Sequence, residues 1–124
     1  MTPAADHGYP LIVLSRAPYA GSAARAALDL ALSFAVFNQA PQLLFCGDGV
    51  LQLAPAQRAD AIGRRSLRRV IDSLPLYDVE EVHVDAADLQ QRGMDAQGLP
   101  AGARLLDAAG VQALRAGAGQ LLSL

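Results

Sequence analysis

Short apolar runs separated by helix-patterned stretches are the feature that most narrows the fold of this chain. Leu11 to Ser15 and Leu43 to Cys46 are apolar without polar alternation, the pattern of strands buried on both faces. Between them, Ser22 opens a helical stretch that runs to about Asn38. A second helical stretch from about Ala61 to Leu74 leads to a third strand, Val79 to Val84, where Val82 and Val84 alternate with Glu81 and His83. Asp85 then caps a short helix to Gln91. Arg104 to Leu106 reads as a weak strand, Val111 to Ala116 as a short helix and Gln120 to Leu124 as a closing strand. This alternation predicts an α/β fold, a single-domain, mostly parallel sheet of about five strands with helices on both faces. Residues 11–124 form that domain and residues 1–10 a flexible N-terminal tail.

With 124 residues, 52% of them hydrophobic and 18% charged, the chain has enough apolar side chain for one real core. All ten basic residues are arginine, and a net charge of -2 gives no general attraction for nucleic acid or an anionic membrane. The single cysteine cannot form an internal disulfide, and no Cys/His cluster has metal-ligand spacing, so no metal or cofactor is expected. Nothing demands an oxidising compartment, which leaves the cytoplasm. The first ten residues lack a basic n-region and an apolar h-region, and no apolar run approaches the about 18 residues of a membrane span.

The first helix is apolar around most of its circumference. Ser22, Arg25, Asp29 and Ser33 form one narrow polar stripe, while Leu28, Leu30, Leu32, Phe34, Val36 and Phe37 fill the rest. One side can cover the sheet; the others need neighbouring helices or another subunit. The second helix is segregated in the ordinary way, with Leu67, Val70, Ile71 and Leu74 on one face and Arg64, Arg65, Arg68 and Arg69 on the other. Four guanidiniums in two turns could grip RNA phosphates, but Asp60 and Asp72 stand four residues from Arg64 and Arg68 and no aromatic residues interleave. A solvated face is the preferred reading.

Cys46 ends the second strand just before Gly47, Asp48 and Gly49, where open α/β sheets place their ligands. It follows three apolar residues and has no basic neighbour in sequence, which favours a small inert hydrophobe over a nucleophile. The loop from Arg16 to Ser22 matches neither a dinucleotide fingerprint nor a phosphate loop, leaving only a helix N-terminus for an anion. Glu81, His83 and Asp85 alternate along a strand, more in the manner of a polar surface than of a catalytic trio.

Leu14, Ser15, Arg16, Ala17, Pro18 and Tyr19 before a helix, the turn Gly47 to Leu53, the approach Leu76 to Glu80, and the stretch Val84 to Gly93 together resemble the TusC/DsrF branch of the DsrE-like sulfur-relay proteins. Asp-Gly-Val-x-Gln-Leu and Leu-Tyr-Asp-Val are the most distinctive pieces. The resemblance covers nearly everything after the tail.

The resemblance implies a subunit that assembles with TusB-like and TusD-like sisters into a heterohexamer. Persulfide sulfur passes from TusA-like carriers through such an assembly to TusE-like carriers and the enzyme that thiolates the wobble uridine of tRNA. The reactive cysteine belongs to the TusD-type sister, and its place falls here at Val84, or at Asp85 with a one-residue slip; neither can carry a persulfide. The implied role is a non-catalytic structural subunit with no direct contact to nucleic acid or membrane. Two alternatives share the chain: a DsrF-type subunit of a DsrEFH complex in dissimilatory sulfur oxidation, and a direct sulfurtransferase using Cys46. The expected subunit interface comprises Phe34, Phe37, Asp48, Val50, Leu51, Leu53 and Tyr77.

Overall fold

The structure, a computed structural model, describes residues 8–17, 22–54 and 62–124, with the side chains of 62–67 not included. Five parallel strands form one sheet in the order β4-β3-β2-β1-β5, with β1 at Tyr9–Leu14, β2 at Gln42–Phe45, β3 at Val82–Asp85, β4 at Ala103–Leu106 and β5 at Ala118–Ser123. Helices α1 (Ala23–Val36), α2 (Ile62–Ser73) and α3 (Ala86–Gln91) connect β1 through β4, each step moving one strand outward, so all three pack on one face. Helix α4 (Ala108–Ala116) carries the chain back across the sheet to β5 and covers the other face. The predicted architecture is the observed one, and β1 and β2 sit inside the sheet as their unbroken apolar runs require.

The main core joins Ile12, Leu14, Leu43, Phe45, Val82 and Val84 of the sheet to Ala24, Ala27, Leu28 and Ala31 of α1, Ile71 of α2 and Leu89 of α3. A smaller cluster under α4 holds Leu11, Val13 and Leu44, with Tyr9, Cys46, Val111, Leu114 and Ala118 at its margin. Small alanines let α1 lie close on the sheet. This helix therefore buries one stripe in its own chain, and its C-terminal end remains bare.

Several boundaries move for identifiable reasons. Strand β1 begins at Tyr9, so Tyr9 and Pro10 belong to the sheet rather than to a flexible tail; they align with Ala118 and Gln120, and the Tyr9 hydroxyl donates to the Leu114 carbonyl at 2.6 Å. Residues 1–7 lie outside the described residues. Strand β3 starts at Val82 instead of Val79, because a 3-10 turn at Leu74–Tyr77 ends on Asp78 in a left-handed conformation and draws the Val79 N–H back to the Leu74 carbonyl. Ser22 begins α1, but its side chain makes no cap bond; only its carbonyl engages, accepting from the Ala26 N–H at 2.9 Å. Helix α4 starts three residues before the predicted Val111, since Asp107 accepts from the Gly110 N–H at 2.8 Å and supplies the cap.

The stretch after β2 is a 3-10 helix, Gly47–Leu53. Residues three apart eclipse on such a helix, so Val50 and Leu53 share one face and turn it into the core. Gln52 is buried beside them, donating to the Arg16 carbonyl at 2.9 Å.

Candidate functional site

The carboxyl ends of β2 and β3 gather the chemistry-bearing residues. Cys46 leaves β2 with extended backbone, donating its N–H to the Leu14 carbonyl at 3.1 Å and accepting from the Gly49 N–H at 2.9 Å. Strand alternation turns its thiol toward α4, where it is half-buried. Burial pushes the thiol above the usual cysteine range; the Arg115 guanidinium in the last turn of α4 pulls the other way, and Asp88 and Asp85 reinforce the rise. The resulting group is a protonated thiol at neutral pH, not an activated thiolate. Arg115 is the basic neighbour that Cys46 lacks in sequence.

The loop after Cys46 is tied to α3. Gly47, at φ +52°, donates its N–H to Asp88 Oδ2 at 2.7 Å. Asp85 caps α3 by accepting from the Asp88 N–H at 3.1 Å. Arg92 pairs with Asp48 at 2.9 Å and donates to the Asp88 carbonyl at 3.0 Å. These carboxylates hold the fold at this edge, and among the described residues no hydrogen bond links the Cys46 thiol to a general base. Val84, the place the resemblance aligns with the sister's cysteine, is wholly buried and aligned between Phe45 and Leu105, while Asp85 is committed to its cap.

The remaining sequence candidates disperse. His83 Nε2 meets Gln42 Oε1 at 2.9 Å, and Glu81 pairs with Arg104 at 2.7 Å, so Glu81, His83 and Asp85 do not converge on one proton. Arg68 turns inward, donating to the carbonyls of Leu53 and Gly98 and pairing with Asp72; it is a bolt between loops rather than a phosphate ligand. Arg69 is exposed, and the side chains of Arg64 and Arg65 lie outside the described residues, as does Pro18 to Gly21 of the loop before α1. Among the described residues no group of three or more His, Cys, Asp or Glu is placed to hold a metal ion, and no helix is long and apolar enough to cross a membrane.

The expected interface residues separate into three sets. Val50 and Leu53 are 0% exposed and cannot meet a partner, which corrects their assignment to a surface. Phe34 packs partly on the core, Leu51 is half-buried, and Asp48 is exposed but already paired with Arg92. Phe37 and Tyr77 stand open to solvent.

Burial also pushes the His83 imidazole below the usual histidine range, with Glu81 opposing and Arg104 assisting. A depressed folded-state pKa means that the unfolded chain takes up the proton first, so this residue's contribution to stability falls as pH drops through the ordinary histidine range. Denaturant unfolding of wild type and His83→Gln should therefore diverge in pH slope between about pH 7.5 and 5.5, the variant losing less stability on acidification. Equal slopes would contradict this account of His83.

Residues 10–122, nearly the whole five-stranded sheet and its helices, match the DsrE/DsrF-like family, and this chain belongs to it. It is similar to the protein named TusC homolog of Pseudomonas aeruginosa, 34% identical over 97 residues that span 78% of this chain and 82% of that one. It is also similar to protein TusC of Escherichia coli, 39% identical over 85 residues, 68% of this chain and 71% of that one. The crystal structure of the YchN protein from Escherichia coli superposes with a TM-score of 0.76 over 94% of this chain and 98% of that chain. At 18% identity that likeness concerns the fold alone.

Proposed function

We propose that this chain is a non-catalytic subunit of a TusBCD-type sulfur-relay complex that supports thiolation of the tRNA wobble uridine, working in the cytoplasm beside TusB-like and TusD-like sisters. The similarity to TusC proteins over most of the chain carries the reading and favours it over the DsrF-type alternative. Passing a persulfide sulfur requires a thiolate that attacks the terminal sulfur and releases the donor as its own thiolate. Neither Val84 nor Asp85 offers a thiol, and Cys46 presents a half-buried, protonated one. The sulfur-accepting cysteine then belongs to a sister, and this chain holds the assembly in which TusA-like and TusE-like carriers dock.

Co-expression with the two sisters tests the reading. The three chains should co-purify as a hetero-oligomer, and Cys46→Ala should leave both assembly and tRNA thiolation at wild-type levels, with a stability loss of under about 1 kcal/mol from altered packing. Loss of thiolation in a Cys46→Ala complex that still assembles would make the chain a sulfurtransferase. Failure of the wild-type chain to join the sisters would remove the proposal altogether.

A further inference from the structure

The amino end of the sheet carries a bare apolar surface. Helix α1 ends there, and the 3-10 turn Leu74–Tyr77 that follows α2 packs beside it. Val36 is 63% exposed, Phe37 75%, Leu76 85% and Tyr77 43%. A solvent-open groove lined by Leu74, Pro75, Val79, Pro100 and Ala101 continues the surface toward β4. Two aromatic and two aliphatic side chains of this exposure, gathered at one edge, have the composition of an interface centre rather than of scattered surface residues.

The electrostatics of the edge select the occupant. Helix C-termini carry partial negative charge, and α1, α2 and the 3-10 turn all end here without a basic residue in their last turns. Asp78 and Glu80 adjoin the apolar residues, are exposed, and among the described residues have no ion pair. Asp72 is already matched by Arg68, and Arg69 is the described cation of α2 closest to this end. A second copy docked about a two-fold axis would bring the same acidic groups and helix ends to the interface, doubling the negative charge there. A different chain with an apolar contact face inside an arginine or lysine rim would complement them and could donate to the terminal carbonyls.

We propose that this edge, centred on Phe37 and Leu76 with Tyr77 and Val36 beside them and Asp78 and Glu80 at its rim, is the seat of a distinct sister chain with a basic-rimmed apolar face. The proposal rests on the relay-subunit reading and deepens it. It places the docking surface at the end of the sheet opposite Cys46, so assembly leaves the carboxyl edge open to a carrier.

Two variants of the full chain, each co-expressed with the TusB-like and TusD-like sisters, test it by native mass spectrometry and by the affinity and association rate of the purified components. Phe37→Ser with Leu76→Ser changes only exposed side chains and should keep the circular dichroism of wild type while weakening assembly at least about tenfold. Asp78→Asn with Glu80→Gln keeps a residue that tolerates the left-handed conformation at position 78; it should slow association and flatten its salt dependence. Wild-type assembly by both variants would overturn the proposal and leave the subunit reading standing. Hetero-assembly retained by the Phe37→Ser, Leu76→Ser variant, with loss of a self-associated form present in wild type, would assign the edge to a second copy and also overturn it. A wild-type chain that does not join the sisters at all would remove both readings.

Discussion

Gly49→Ala should unfold the chain or cost at least about 3 kcal/mol, the largest effect expected of any single methyl group added here. Gly49 lies in the 3-10 helix after β2, pressed on the end of β1. A Cβ at this position would run into the Leu14 carbonyl oxygen and lie 2.6 Å from the Leu14 carbonyl carbon. Both are backbone of a buried strand, and neither can give way without disturbing the β1–β2 pairing between Leu14 and Phe45. The same shift would withdraw Val50 and Leu53 from the core. Chemical denaturation followed by circular dichroism measures the effect. A midpoint within experimental error of wild type would show that the close approach does not govern this corner of the fold.

Arg68→Met should cost about 2–4 kcal/mol although it removes a residue of outwardly polar pattern. The side chain is only 13% exposed and its guanidinium joins three segments: Nη1 donates to the Leu53 carbonyl at 2.6 Å and to the Gly98 carbonyl at 2.9 Å, and Nε to Asp72 at 3.0 Å. Methionine keeps most of the stem packing but strands two carbonyl acceptors. Arg68→Lys should recover part of the loss, since one ammonium can stand in for Nη1 toward the carbonyls but cannot also supply the separate Nε bond to Asp72. An Arg68→Met protein as stable as an Arg69→Met control would show that the contacts at position 68 carry no weight.

These two positions mark where sequence pattern stops being informative. Strands β1 and β2 are legible because unbroken apolar runs bounded by turn residues permit little else, and Asp85 is legible as a cap because an acidic residue stands before an alanine-rich start. The inward turn of Arg68 is invisible in a helical wheel that segregates four arginines from four apolar residues, because its partners are backbone carbonyls of distant loops. The apolar residues Val50 and Leu53 read as surface beside a turn only while that turn is taken for a loop. Once it is a 3-10 helix, a spacing of three buries both.

The candidate site divides in the same way. That Cys46 stands at the carboxyl edge is readable from three apolar residues followed by Gly-Asp-Gly, although the strand itself stops one residue earlier at Phe45. That Arg115 reaches it depends on α4 crossing the sheet to β5, a long-range consequence of strand order that no local pattern encodes. The Arg92–Asp48 pair, which stiffens the loop beside the thiol, is hidden for the same reason. The bare end of α1 is legible in part: a helix apolar almost all round needs a second cover, and the structure places Val36 and Phe37 where the described residues supply none.

On the proposed reading, sulfur passes through the assembly without resting on this chain. Reconstituting the complex with its sisters, loading it from a persulfidated TusA-like carrier, and locating the added sulfur by mass spectrometry of alkylated peptides tests it most directly. The expected result is persulfide on a sister subunit and an unmodified thiol at Cys46, alkylated slowly near neutral pH because burial keeps it protonated. A persulfide on Cys46 that disappears as the carrier downstream is charged would contradict it.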